Sequence, residues 1–188
     1  MNGVIKAAAE LQRFCDSHRW RFCLIGGMAL QRWGEPRETV DVDLTLFAGF
    51  ENEDQYIDSL LGRFKPRIAE AAAFARERRV LLLTSAEGVG LDIALGALPF
   101  EALMIERSSL FKFPPATELR TCSAEDLIVL KAFASRNQDW VDVEKIIVRQ
   151  TGKLDWDHIY EQLRPLAELK EAPQIVDQLR LRRTEFES

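Results

Sequence analysis

The stretch LIGGMALQRWGEPRETVDVDLTL, residues 24–46, decides the fold. A short apolar strand over Phe22–Ile25 breaks at Gly26-Gly27, and Met28–Trp33 suits a brief helix that Gly34 and Pro36 terminate. Val40–Leu46 then alternates with period two, so Asp41, Asp43 and Thr45 share one strand face while Val40, Val42, Leu44 and Leu46 share the other. Two carboxylates on one face of an apolar strand need compensation, because an uncompensated buried carboxylate costs several kcal/mol. No basic residue stands inside that strand, so a bound cation is the first candidate.

A second run, GLDIALG at 90–96, repeats the pattern: Leu91, Ile93 and Leu95 face one way and Asp92 stands alone among small residues on the other. If the two strands are neighbours, Asp41, Asp43 and Asp92 converge. An all-oxygen cluster suits a hard cation, Mg²⁺ or Mn²⁺, which binds through a few carboxylates and completes its shell with water and substrate phosphates. The glycine pair fits the same chemistry. A strand–glycine–helix turn lets a ligand approach the backbone and aims helix N-terminal N–H groups at an anion such as a triphosphate.

LIGGMAL, then RETVDVDL, then the later LDIAL together resemble the nucleotidyltransferase fold of the DNA polymerase β superfamily. Within it, DLIVLKAFASRNQDWVDVEKI at 127–146 is similar to the lysine, arginine and aspartate pattern of AbiEii-type and MenT-type toxin nucleotidyltransferases. The resemblance covers most of residues 22–147 and implies an NTP substrate and transfer of a nucleoside monophosphate to an acceptor hydroxyl on a tRNA end, a protein or a small molecule. It implies Asp41 and Asp43 as metal ligands, Asp92 as the third carboxylate, Gly26 and Gly27 as the nucleotide loop, and Arg37 and Lys131 as phosphate contacts. It also implies a toxin role with an antitoxin partner protein. Many members carry serine after the first glycine; Gly27 stands there in this chain, so backbone groups would take over that contact.

The rest of the chain bounds these expectations. With 188 residues, 47% hydrophobic and 29% charged, it has the composition of a globular protein with a sizeable core. A formal net charge of −5 gives no whole-molecule attraction for nucleic acid, so a polyanion must be met locally. Cys15, Cys23 and Cys122 form no CxxC pair, which points to buried thiols in a reducing compartment rather than a zinc site. Charges at Lys6, Glu10 and Arg13 interrupt any apolar signal region, and no stretch reaches the roughly 20 apolar residues of a membrane span, so the expected location is the cytoplasm.

The expected architecture is α/β (α+β): a mixed β-sheet flanked by helices over residues 1–115, then a helical C-terminal lobe over 116–188. Helices are expected over 4–17, 51–62 and 68–78, and strands over Arg79–Thr84 and Val89–Gly96, joined by the turn SAEG. Pro114-Pro115 is the clear punctuation, and the β-signals fade after it. Ser123 with Asp126 has capping-box spacing and opens a helix to about residue 136.

Each singled-out residue has a plainer reading. Alternating acids occur on exposed edge strands, and Lys131 after LIVL could snorkel from a half-buried helix. Arg136, Asp139 and Asp142 have the spacing of surface helix pairs if one helix runs through Asn137. Trp33, Trp140 and Trp156 read as packing, His18 and His158 sit in no motif, the basic tail LRLRR at 179–183 reads as a solvated helix face, and Glu101 as a helix start. Two rival functions remain at this level: a DxD glycosyltransferase using a sugar nucleotide, and a non-catalytic binding module of the same fold.

Overall fold

The structure is a computed structural model, and it describes residues 2–187. In chain order, the first elements are α1 (Asn2–Ser17), β1 (Phe22–Leu24), α2 (Gly26–Trp33), β2 (Asp41–Phe47), α3 (Glu53–Arg63), β3 (Lys65–Pro66), α4 (Ala71–Arg78) and β4 (Val80–Thr84). They are followed by β5 (Gly90–Gly96), α5 (Pro99–Arg107), β6 (Ser109–Phe113) and β7 (Thr117–Thr121). Four helices complete the chain: α6 (Ala124–Ala134), α7 (Asn137–Arg149), α8 (Trp156–Leu169) and α9 (Gln174–Phe186). Among the described residues no helix is long and apolar enough to cross a membrane.

The strands form one seven-stranded sheet in the order β3-β4-β5-β2-β1-β7-β6. It is mixed, as expected: β2 runs parallel to β5 and β1 to β7, while β1/β2, β3/β4, β4/β5 and β6/β7 are antiparallel. Period-two patterning explains its two faces. Val42, Leu44, Leu46, Leu81, Leu83, Leu91, Ile93 and Leu95 are buried in one apolar core with α1, α3 and α4, a burial worth about 1.5–3 kcal/mol per large side chain. Val4, Ala8, Leu11 and Cys15 form the buried stripe of α1. Gln12 pins that helix to β7, donating to Glu118 O at 3.1 Å and accepting from Arg120 N at 2.8 Å. Burial pushes the Cys15 thiol up to about 12, so it stays a protonated, inert core group.

The β-signals do not fade after Pro114-Pro115. Those prolines lie in the turn between β6 and β7, which pair from Ser109↔Thr121 to Phe113↔Thr117. Of β6 only Phe113 is buried, and β7 mixes Glu118 and Arg120 with Leu119, so neither strand has the apolar density that sequence patterning detects. Strands β3, β6 and β7 are the elements that patterning missed; β3 has two residues, too few to show a period.

By internal contacts the chain divides into two compact units. One holds residues up to Met28 together with Glu38–Cys122, and so the whole sheet; the other holds Ala29–Arg37 together with the residues from Ser123 onward. The expected division at 115/116 falls before β7, which hydrogen-bonds to the sheet, and it leaves out the excursion at 29–37. In the second unit α6 packs against α7, α8 and α9 and is buried nearly all round, with Leu127, Ile128, Val129 and Ala132 fully covered. Ser123 Oγ caps α6 by accepting from Asp126 N at 3.1 Å. The helix ends at Ala134, where Ser135 turns left-handed (φ 60°), and Arg136 is the N-cap of α7. The single helix running through Asn137 is therefore two.

Candidate active site

Strands β2 and β5 build the site on the sheet face opposite the aliphatic core. Their parallel register pairs Asp41 with Gly90, Asp43 with Asp92 and Thr45 with Ala94. Paired residues of neighbouring strands point to the same face. Asp41, Asp43 and Asp92 thus stand together on one face, half-buried, as the alternation of both strands predicts.

Glycines make room for this cluster. Gly26 opens α2 with φ +55°, a conformation that residues with a Cβ rarely adopt. Its backbone lies against Asp43: a Cβ there would overlap Oδ2 and stand 2.7 Å from Cγ. The approach is set by Ile25 N, which donates to Asp43 O at 3.0 Å and ties the turn to β2. A Cβ on Gly27 would meet Thr39, lying 2.8 Å from its Cβ. Thr39 Oγ1 in turn donates to Asp41 O at 3.2 Å and reaches Asp41 Oδ1 at 3.4 Å. Gly26 therefore abuts Asp43 and Gly27 abuts Thr39, at the start of α2, whose first N–H groups have no acceptor within the helix.

The donor set fits a hard divalent cation. Asp41 and Asp43 offer carboxylate oxygens two residues apart on one strand, with Asp92 opposite one of them. Among the described residues no group of three or more histidine, cysteine, aspartate or glutamate side chains is placed to hold a metal ion by itself, so an ion at Asp41 and Asp43 would need further oxygens from substrate phosphate and water.

Sequence patterning missed Thr39 and Arg67. Arg67 follows the two-residue β3, and its Nη2 is ion-paired with Asp92 Oδ1. Glu101 is a helix start: Oε2 accepts from Ala97 N at 2.7 Å and Leu98 N at 2.8 Å, capping α5.

The remaining predicted residues belong to the helical unit. Lys131 does not snorkel: its side chain is 7% exposed, and Nζ donates to Asp142 Oδ2 at 2.6 Å and Asp139 Oδ1 at 3.4 Å. Arg37 shares Asp142, with Nη2 at 3.2 Å from Oδ2 and Nε at 3.3 Å from Oδ1. Arg136 Nε donates to Asp139 Oδ2 at 2.6 Å. Asp139 and Asp142 are buried, not surface, partners. Burial pushes both carboxyls up, but the hydrogen bonds and charges of Arg136 and Lys131 on Asp139, and of Lys131 and Arg37 on Asp142, outweigh it and hold both below the usual carboxylate range. Nearby, His158 Nε2 lies 2.8 Å from Asp126 Oδ1, and Ser123 Oγ donates to Asp126 Oδ2 at 2.8 Å. This histidine is a partner for a fully buried carboxylate.

The model of the family described as nucleotidyl transferase AbiEii toxin, Type IV TA system, matches residues 11–186. No curated protein sequence matches the chain. Among solved structures, the chain is similar to an antigenic nucleotidyltransferase-like protein from Paracoccidioides brasiliensis, with TM-score 0.54 and 13% identity over 96% of this chain and 93% of that one. It is also similar to the lincosamide antibiotic adenylyltransferase LnuA, bound to lincomycin, with TM-score 0.52 and 13% identity over 75% of this chain and 94% of that one. At such identities these likenesses establish the fold.

Proposed function

The chain belongs to the AbiEii nucleotidyltransferase family, and from that premise we propose that it transfers a nucleoside monophosphate from an NTP to an acceptor hydroxyl with Mg²⁺ held by Asp41 and Asp43. Membership in a nucleotidyltransferase family favours nucleotidyl transfer over the sugar-nucleotide alternative. The observation that carries the reading is the register of β2 and β5, which sets Asp92 directly opposite Asp43 on the face that Gly26 keeps open.

The acceptor oxygen attacks the α-phosphorus, the bond from that phosphorus to the bridging oxygen breaks, and pyrophosphate leaves. Asp92 receives the hydroxyl proton, as a carboxylate within reach of the attacking group. Asp41 and Asp43 would hold the first ion, and Asp92 would help to hold a second. Bound there, the ions would offset the negative charge of the phosphate oxygens. Gly26 and Gly27 let the triphosphate reach the backbone N–H groups at the start of α2. Arg37 and Lys131, the phosphate contacts that the family resemblance implies, are joined to each other through Asp142, which both engage.

The acceptor classes are a tRNA end, a protein hydroxyl and a small molecule, and the biological role we propose is that of a cytoplasmic toxin with an antitoxin partner. The test supplies each α-³²P-labelled NTP with Mg²⁺ and total tRNA, cell protein or aminoglycosides, and follows the label. Wild-type protein is expected to label one acceptor class and release pyrophosphate in equal amount. Asp43→Asn is expected to label nothing while melting like the wild type. Undiminished transfer by Asp43→Asn overturns the site.

A further inference from the structure

We propose that the cavity between α8 and α9 is a binding site for a phosphate group, built by Arg180 and Arg183 around the hydroxyl of Tyr160. It uses none of the residues placed in the transfer site and depends on neither metal nor NTP.

The two helices bring these groups together. Trp156, Tyr160 and Arg164 follow one another at i, i+4 spacing on α8, while Arg180, Arg183 and Thr184 share one face of α9, with Glu187 just past its end. Tyr160, Arg180, Arg183, Thr184 and Glu187 line a cavity of about 510 Å³. The guanidinium carbons of Arg164 and Arg180 lie 5.9 and 5.8 Å from the centre of the Tyr160 ring, and that of Arg183 lies 4.7 Å from the centre of the Trp156 ring. The basic tail at 179–183 is therefore more than a solvated helix face. Two of its arginines wall the cavity, and Arg182 packs on Trp140 at 4.2 Å and pairs with Glu144.

The local charge suits an anion. Arg183 Nε is paired with Glu187 Oε2 at 2.8 Å and Arg180 Nη1 with Asp177 Oδ1 at 2.9 Å. Arg164 has no carboxylate partner among the described residues, so its charge is in excess. Glu187 is held in addition by Trp156 Nε1, which donates to its Oε1 at 2.5 Å. On a chain of net charge −5, this is a place where a polyanion can be met locally.

Tyr160 completes the donor set. It is 8% exposed, and its hydroxyl, closed to water, has no hydrogen-bond partner among the described residues, an arrangement that costs stability. Burial raises the phenol's pKa over the opposing effect of Arg183 and Arg180, so it stays protonated. Arg183 is thus near enough to act on the phenol without standing in hydrogen-bonding geometry to it. The groups that act on this hydroxyl, Arg183, Arg180 and Glu187, are the groups that line the cavity, which places the hydroxyl at its base. A phenol O–H and two guanidinium forks from two helices are donors converging from different sides. A tetrahedral phosphate, with several acceptor oxygens, answers all three; a planar carboxylate has only two oxygens to offer.

The experiment titrates inorganic phosphate into the ¹⁵N-labelled full chain without Mg²⁺, at an ionic strength held constant with NaCl. It follows the indole N–H signal of Trp156, identified by its absence in Trp156→Phe, because that group is hydrogen-bonded to the cavity wall at Glu187. A saturable shift is expected in the wild type. Arg180→Gln and Arg183→Gln are each expected to bind phosphate about tenfold more weakly, the loss of one charge-assisted hydrogen bond. Tyr160→Phe is expected to bind several-fold more weakly without any fall in melting temperature, since the hydroxyl it removes has no partner in the folded chain. Arg76→Gln, which removes an exposed arginine paired with Asp54, is expected to titrate as the wild type does. A second titration with an oligouridylate lacking terminal phosphates distinguishes two sources of the group. A saturable Trp156 shift there supports the proposal with a nucleic-acid backbone as ligand, and phosphate binding without it supports the proposal with a small phosphate as ligand. A Trp156 signal that does not saturate, or an isotherm in Arg180→Gln or Tyr160→Phe identical to that of the wild type, overturns the site.

Discussion

Gly26 and Asp43 lie so close that no other residue can stand at position 26 with Asp43 in place: a Cβ there would overlap Oδ2 and lie 2.9 Å from the aspartate's own Cβ. The loop glycine and the strand aspartate, 17 positions apart in sequence, therefore form one unit. Backbone and side chain meet there because Ile25 N is hydrogen-bonded to Asp43 O.

Gly26→Ala should consequently fail twice, through the positive φ and through displacement of Asp43. The backbone strain alone costs on the order of 1 kcal/mol, and the overlap adds to it. Gly88→Ala separates the two, because Gly88 has φ +77° with nothing within 4 Å of its missing Cβ. Urea denaturation is expected to show a larger loss for Gly26→Ala than for Gly88→Ala, and only Gly26→Ala should lose transfer. Equal losses, with transfer intact in both, would remove Gly26 from the site.

Asp92→Asn should divide binding from chemistry. Asp41 and Asp43 remain to hold the first ion and the nucleotide, so NTP titration in Mg²⁺ is expected to stay within about threefold of wild type, well under 1 kcal/mol. Transfer should fall by at least about a hundredfold, the range supplied by a positioned proton acceptor. Asp43→Asn should lose both. If Asp92→Asn weakens NTP binding as much as Asp43→Asn does, Asp92 is a nucleotide-site ligand rather than the proton acceptor.

His158 has a structural task. It is the partner of Asp126 Oδ1 at 2.8 Å, and Asp126 has no solvent exposure. His158→Leu leaves a buried acceptor short of one donor, at a cost of about 1–3 kcal/mol. Thermal melting should show the loss, and transfer measured below the transition should be unchanged. An unaltered melting temperature would mean that Asp126 is satisfied without His158.

The aspartate face was legible in the sequence because period-two alternation reports directly which side chains share a strand face, in β2 and β5 alike. Gly26 was legible because only a turn of unusual backbone explains a glycine pair between a strand and a helix. What alternation cannot report is which strands are neighbours, so Arg67 at the end of a two-residue strand was invisible. Its meeting with Asp92 depends on the register of β3, β4 and β5. The His158–Asp126 contact spans 32 positions with no periodic relation between them. Likewise the spacing of Arg136, Asp139 and Asp142 suggested surface pairs and Lys131 a snorkelling lysine, since a one-dimensional pattern does not reveal that α6 is buried nearly all round and that Ser135 breaks the helix.

That burial makes Lys131 the residue whose replacement has the most readable pH signature. Asp142 is 1% exposed and accepts from Lys131 at 2.6 Å, Arg37 at 3.2 Å and Gln138 at 3.3 Å. Burial alone would raise its pKa; the Lys131 and Arg37 hydrogen bonds reverse the sign, and Asp139 behaves likewise with Arg136 and Lys131. A carboxyl whose folded pKa is depressed contributes stability above its unfolded value, near about 4, and loses it as pH falls through the lower folded value. Wild-type stability from this cluster should therefore be constant from pH 7 to about 5 and decline below about 4. Lys131→Met removes the cation and leaves two carboxylates under-compensated, so stability at pH 7 should drop by about 3 kcal/mol. Both pKa values then rise, the folded variant binds protons more readily than before, and the deficit relative to wild type should narrow as pH is lowered from 7 to 4. Urea denaturation of both proteins at pH 7, 5.5 and 4 measures this directly. A deficit that is absent at pH 7, or that is the same at all three pH values, would show that Asp139 and Asp142 do not depend on the Lys131 ammonium.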